Sequence, residues 1–185
     1  MLVEKEMESY QQFLQGNEAG LVQIIREHKD GLILYLNGIV RNIDTAEELA
    51  EDTFVKLVVK RPRFSGRSTF KTWLYTIARN IAMDYLRRHK MTVSVDVCAP
   101  ISDELSDLER AWIGQEEKIL LHRTIEKLKQ EYRQVLYLRY FEEFSCKQIA
   151  RIMGKTTHST ETLLYRAKLV LKQKLMEEGF SYENL

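Results

Sequence analysis

Proline stands at only two of the 185 positions, Pro62 and Pro100, and both fall where the helical spacing of apolar residues breaks off. Proline inside a helix removes a hydrogen bond and clashes with the preceding turn, so a chain this poor in it can run in long helices. Apolar residues recur at steps of three and four, the period of one helix face. An all-α fold is expected.

The first half reads as four helices. Residues 4–14 end at Gly16, and a second helix opens after Asn17, a good N-cap, and runs to about Arg41. Its apolar face is Leu21, Ile24, Ile25, Leu32, Leu36 and Ile39. Asp44, with Glu47 three positions on, has capping-box spacing and opens a third helix to about Lys60. Its stripe is Ala46, Leu49, Ala50, Phe54, Leu57 and Val58. Residues 61–67 (RPRFSGR) stop that helix and form a loop. A fourth helix runs from about Ser68 to Lys90 around Phe70, Trp73, Leu74, Ile77, Ala78, Ile81 and Tyr85.

Over residues 91–107 the periodicity is lost, and β-branched residues, Pro100 and several acids indicate a flexible acidic linker. Helical spacing resumes over about residues 108–128, 130–142, 145–153 and 157–177. Ser145 and Gln148 repeat the capping-box spacing, and Gly154 closes that helix as a C-cap. The last two helices, joined by Gly154-Lys155-Thr156, form a helix-turn-helix candidate with Ile149, Ala150, Met153, Leu164 and Ala167 between them. The expected architecture is two small helical domains, residues 1–90 and 108–185, joined by the linker of residues 91–107.

A net charge of +1 conceals strong segregation. Between residues 60 and 90 stand Lys60, Arg61, Arg63, Arg67, Lys71, Arg79, Arg87, Arg88 and Lys90, opposed by Asp84 alone. Residues 44–52 are ionisable only as acids, and residues 91–117 carry acids against Arg110 alone. Blocks of alternating sign point to several partner surfaces, whereas any one block is equally explained as a solvated helix face.

Phe64, Phe70, Trp73 and Tyr75 lie among Arg63, Arg67, Lys71 and Arg79, beside Gly66. Aromatics that stack on unpaired bases, with cations that follow phosphates, are what an unwound DNA strand requires. The plainer account, that Phe70, Trp73, Ile77 and Ile81 are core, explains most of the spacing but not the loop's Phe64, Ser65, Gly66 and Arg67. In the helix-turn-helix candidate, Thr157, His158, Ser159, Thr160, Glu161 and Thr162 occupy the turn that meets base edges, and Arg166, Lys168, Lys172 and Lys174 add charge toward a DNA backbone. Read alone, that segment is also a generic helical hairpin. The acids of the third helix are candidates for docking a basic partner.

Enzymatic alternatives find little support. His28, His89, His122 and His158 are scattered, and there is no HExxH pair, Cys/His metal spacing or Gly-rich phosphate loop. No catalytic residue, metal or cofactor is expected. Cys98 and Cys146, without CxxC spacing, read as reduced thiols of a cytoplasmic protein. The longest apolar stretch, residues 31–40, is too short for a bilayer, and residues 1–10 lack the pattern of a secretory signal.

Three segments together resemble the extracytoplasmic-function sigma factors of the sigma-70 family. TAEELAEDTFVKL (residues 45–57) is similar to the polymerase-clamp-binding part of region 2, and FSGRSTFKTWLYTIARNIAMDYLRR (residues 64–88) to its promoter-melting part. SCKQIARIMGKTTHSTETLLYRAKLVL (residues 145–171) resembles the helix-turn-helix of region 4. The resemblance implies a subunit that brings RNA polymerase to promoters and performs no chemistry itself. It implies that Glu47, Glu48, Glu51, Asp52 and Phe54 face the clamp helices of the β′ subunit. Arg63, Phe64, Ser65, Gly66, Arg67, Ser68, Thr69, Phe70 and Lys71, with Arg79 and Asn80, would capture the melted strand of the −10 element, and Arg87, Arg88 and Lys90 the duplex upstream. Thr157, His158, Ser159, Thr160, Glu161, Thr162, Arg166 and Lys168 would read the −35 element, with region 4 on the β flap. Core RNA polymerase, promoter DNA and an anti-sigma protein are the implied partners.

The family usually has a basic residue at the place of Glu161, often another at Leu163, and often glycine at His158. Glu161 repels phosphate, accepts a hydrogen bond from a cytosine amino group, or merely stabilises the helix start, and the sequence leaves these open. Other functions fit parts of the chain: a stand-alone helix-turn-helix regulator, a sigma-like decoy that occupies polymerase without initiating, and, last, a metal-dependent nuclease.

Overall fold

The computed structural model describes residues 2–90 and 116–178. The expected linker, with Cys98, and the side chain of Lys90 lie outside the described residues. Eight helices occur among them: α1 (Leu2–Leu14), α2 (Glu18–Val40), α3 (Ile43–Lys60), α4 (Phe70–Lys90), α5 (Glu116–Glu126), α6 (Gln130–Tyr140), α7 (Cys146–Met153) and α8 (Thr157–Glu177). No strand is present among the described residues, and none of these helices is long and apolar enough to cross a membrane.

Caps set most of the boundaries. Asn17 accepts a hydrogen bond from the Ala19 N–H at 3.1 Å and opens α2. Helix α3 starts two residues earlier than the Asp44 reading requires: Asn42 is its cap and accepts from the Thr45 N–H at 2.8 Å. Both residues are good caps, and the earlier start lets Ile43 pack against the core. Helix α4 begins at Phe70, two residues later than expected, because Thr69 caps it by accepting from the Thr72 N–H at 3.2 Å. Helix α3 ends with Arg61 in the left-handed region at φ 41°, and Pro62 prevents its continuation. Two contacts hold this costly turn to α1: the Arg61 guanidinium lies 5.4 Å from the centre of the Phe13 ring, and the Tyr10 hydroxyl donates to the Pro62 carbonyl at 2.7 Å.

Helices α1–α4 enclose Ile24, Leu32, Leu36, Leu57, Leu74 and Ala78, all wholly buried. Each large aliphatic side chain so buried contributes roughly 1.5–3 kcal/mol. Val58 departs from expectation: it is 41% exposed, because the next position after buried Leu57 is turned about 100° around the helix. The second half does not stand apart. Helix α6 packs on α2 and α7 on α4, so Leu136, Leu138 and Phe144 join one continuous core.

Polar contacts in this seam answer specific needs. The last carbonyls of a helix have no partner within it. At the end of α2, Gly38 O accepts from Arg133 Nε at 2.9 Å, and Ile39 O from Gln130 at 3.5 Å. The same guanidinium donates to Leu128 O at 2.6 Å, tying the α5–α6 turn into the joint.

His28 of α2 is 4% exposed and sits 6.3 Å from the Phe70 ring. Burial, reinforced by nearby Lys71, pushes its pKa down from 6.5 to about 4, with Glu27 and Glu142 opposing. The native state therefore stays neutral at a pH where the unfolded chain takes up a proton. Stability is complete above pH 6.5 and falls as pH drops toward 4, by at most roughly 3 kcal/mol for this group. Glu6, raised by burial, works in the opposite sense, so comparison of variants is required. The urea midpoint of the wild type is expected to fall between pH 6.5 and 4.5 more steeply than that of His28→Gln. Equal slopes would show that His28 titrates normally.

Candidate nucleic-acid interface

The residues expected to hold an unwound strand divide into two sets. Arg63, Ser65, Gly66 and Arg67 in the loop, and Asn80, Arg87 and Arg88 on α4, are exposed. Gly66 adopts φ 69°, a conformation natural to glycine, and turns the loop back toward α4. Arg87 pairs with Asp84, a surface contact of little energetic weight that leaves the cation available.

The aromatic residues are more deeply placed than the sequence suggests. Phe70 and Tyr75 are fully buried, so neither side chain can receive a base. They stand about 140° apart on α4 and both sides pack inward, Phe70 into the aromatic cluster and Tyr75, with Lys71 over its ring, into the contact with the second half. Phe64 and Trp73 are half-buried and lie 5.3 Å apart, with Tyr10 and Phe70 completing a cluster beneath the loop. This cluster supports the loop's shape and leaves Phe64 and Trp73 partly exposed.

Several residues of the same surface touch the second half. Lys71 Nζ is 2.8 Å from Glu142 Oε2, Arg79 Nε donates to Gln134 Oε1 at 3.2 Å, and Gln148 donates to Thr69 Oγ1 at 3.3 Å. Arg151 donates to the Arg67 carbonyl.

The helix-turn-helix forms as its caps dictate. Ser145 and Gln148 make a capping box, Gly154 ends α7 in the left-handed region at φ 64°, and Thr156 caps α8 by accepting from the Ser159 N–H at 3.1 Å. Ile149, Ala150, Met153, Leu164 and Ala167 are buried between the helices. Thr157, His158, Ser159, Glu161, Arg166 and Lys168 are exposed, and Thr162 is half-buried. Thr160 is not available to DNA: its side chain is wholly buried and its hydroxyl donates to the Thr156 carbonyl at 3.0 Å. An unobstructed N-terminal turn rich in hydroxyls suits phosphate and base edges alike.

A third surface runs along α3. Glu47, Glu48, Glu51 and Asp52 are exposed, whereas Phe54 is buried and floors a groove of about 550 Å³. Ile25, Ala50, Val55, Val58 and Val59 line it, with Glu51 and Lys29 also on its wall. Val55 and Val59 are 53% and 67% exposed, and apolar side chains gathered this way mark a docking site. The sequence reading found the acids and missed these valines. Their spacing along α3 held the signal, but they resemble a continued core stripe.

One group among the described residues, Glu6, Glu27 and His28, brings three potential ligand atoms within 4.8 Å of one another. Lys5 lies 3.6 Å from Glu27, and His28 Nε2 lies 3.5 Å from Glu6. Lys5 already pairs with the Glu27 carboxylate.

Comparison with known proteins bears on all three surfaces. Sigma-70 region 2 matches residues 24–92, and sigma-70 region 4 matches residues 118–171. The chain is 31% identical over 155 residues to the RNA polymerase sigma factor YlaC of Bacillus subtilis, covering 82% of this chain and 90% of that one. It is 25% identical over 187 residues to the ECF RNA polymerase sigma factor SigW of the same organism, covering 96% of this chain and 98% of that one. Among solved structures, the sigma factor RpoE of Bartonella quintana, crystallised with the anti-sigma factor NepR, superposes with a TM-score of 0.65 at 22% identity, covering 83% of this chain and 95% of that one. CnrH in complex with the cytosolic domain of CnrY gives 0.63 at 19%, covering 95% and 97%.

The turn geometry carries its own expectation. Thr156→Ala removes the α8 cap and should lower stability by about 1 kcal/mol in urea denaturation. An unchanged midpoint would show that this cap contributes nothing.

Proposed function

Because the chain belongs to the sigma-70 family, in its extracytoplasmic-function group, and directs promoter-specific transcription initiation, we propose that its three surfaces divide that work. The groove and acids of α3 dock on the clamp helices of the polymerase β′ subunit. Valines provide an apolar seat there, while Glu47, Glu48, Glu51 and Asp52 supply charge that speeds and orients encounter with a basic partner.

The loop and α4 take the melted strand of the −10 element. Arg63, Arg67 and Lys71 follow phosphates, Ser65, Gly66 and Asn80 present backbone and amide groups to an extruded base, and Arg87, Arg88 and Lys90 hold the upstream duplex. The observation that carries this reading is the exposed loop itself. Its cations and Gly66 lie open above a fixed aromatic cluster, on the one stretch where acids are nearly absent.

The first turn of α8 takes the −35 element, and its domain rests on the β flap. Exposed Glu161 weakens phosphate binding, and attachment of both domains to one polymerase offsets this by raising local concentration. The protein itself catalyses nothing, and it acts in the cytoplasm with the polymerase. An anti-sigma protein is a further partner, supported by the anti-sigma factor bound to the structurally similar RpoE.

Run-off transcription with core polymerase from the same organism tests this division. Asn80→Ala, an exposed position, should slow promoter opening by about tenfold or more, equivalent to about 1.4 kcal/mol, and leave polymerase affinity intact. Charge reversal at Glu51 and Asp52, or Val55→Asp with Val59→Asp, should lower polymerase affinity by a similar factor. Equal loss of polymerase binding in both sets would contradict the assignment.

A further inference from the structure

Helices α1 and α2 pack on each other, and one polar group lies in their seam. Glu27 and His28 are consecutive on α2 and leave that helix about 100° apart. Glu6 approaches from α1, and the ligand-bearing atoms of all three residues come within 4.8 Å of one another. The His28 side chain is only 5% exposed, yet its Nε2 has no hydrogen-bond partner. That nitrogen is aimed at the Glu6 carboxylate, 3.5 Å from Oε1, without the geometry of a hydrogen bond. A buried polar atom left unpaired is destabilising and calls for a reason. An ion pair does not supply one, because burial keeps His28 neutral. Glu6 is held in place: burial raises its pKa, and the backbone N–H of Lys71, at the start of α4, opposes this by donating to it.

We propose that Glu6, Glu27 and His28 form a site for one zinc(II) ion that ties α1 to α2. Zinc takes neutral imidazole nitrogen and carboxylate oxygen at about 2.0–2.2 Å, commonly from three protein ligands and a water. Ligand atoms around a tetrahedral zinc therefore stand about 3.4 Å apart, which the separation of Nε2 and Oε1 already meets. Glu27 has to swing inward, and it is the ligand free to do so. Its present partners, Lys5 and Gln23, meet it in solvent-exposed contacts, and the Lys5 side chain is 58% exposed. A surface pair of that kind holds little, so a dication displaces the ammonium group. Lys71 repels a cation here, but its Nζ is paired with Glu142. Two carboxylates then balance the charge of the ion. Magnesium and calcium take oxygen ligands, so the imidazole selects zinc over both. The His28 ring lies 6.3 Å from Phe70, which packs against Phe64 and Trp73 beneath the loop. Zinc thus braces the floor on which the loop rests. The acid sensitivity of His28 belongs to the metal-free chain.

The test is calorimetric titration of zinc chloride into the full chain, stripped with a chelator and carrying Cys98→Ser and Cys146→Ser so that no thiol competes. One ion per chain at micromolar or tighter affinity is expected. The melting temperature should rise by roughly 5–10 °C at zinc a hundredfold above its Kd. Glu27→Gln, at an exposed position, should weaken binding by more than about 100-fold, since loss of a ligand costs more than loss of a residue that merely orients one. Its helix content and zinc-free melting should match those of the parent chain, which separates loss of the site from loss of the fold. Lys5→Ala should tighten binding severalfold by removing the competing cation. Glu8→Gln, exposed on α1 outside the group, should leave affinity unchanged. Magnesium chloride should neither bind nor stabilise. Millimolar affinity, wild-type affinity in Glu27→Gln, or equal stabilisation by magnesium would overturn the site. None of the three ligands belongs to the surfaces assigned to polymerase and DNA, so that result would leave the proposed function standing.

Discussion

Phe70 and Lys71 are neighbours in sequence and about 100° apart around α4, and that single step places them in two different interiors. Phe70 points into the aromatic cluster that fixes the loop, and Lys71 into the seam with the second half. Everything else in the fold is arranged around this helix with two buried sides. One side closes the core of α1–α4. The other meets α7 and the turn before it. A helix that is amphipathic in the ordinary way would leave its second side to water.

The composition of the seam makes it specific. It contains buried leucines, but its distinguishing contacts are polar: an ion pair, amides, and guanidinium groups on helix-end carbonyls. A buried ion pair gains little net stability because desolvation offsets attraction, while loss of one partner leaves an uncompensated charge and costs about 3–5 kcal/mol. Such a contact selects one arrangement of the two domains without adding much to its depth. Water can satisfy the same groups wherever they become exposed. The groove on α3 behaves differently: its exposed valines have no polar substitute and call for a protein surface.

Local chemistry was readable from the sequence where it acts within a few residues. Ser145, Gln148, Gly154 and Asn17 cap the helices they were expected to cap. Asn42 displaced Asp44 because two competent caps stood two positions apart and packing of Ile43 decided between them. Phe70 and Tyr75 were grouped with the DNA-facing cations because spacing alone does not say which way an aromatic points when its helix is basic on other sides. Gly31 on α2, whose carbonyl accepts from the Tyr137 hydroxyl at 3.3 Å, was hidden as a contact for a different reason. Its partner Tyr137 lies 106 positions away, and periodicity tells which face is apolar but never what covers it.

The central claim is that the open loop over residues 63–67 and the exposed side of α4 take the unwound promoter strand. The direct measurement is photo-crosslinking from a benzoylphenylalanine placed at exposed Asn80 on α4, in a complex with core polymerase and promoter DNA. The account predicts crosslinks to the unwound strand of the −10 element. Crosslinks to polymerase alone, with none to DNA in a complex that initiates, would contradict it.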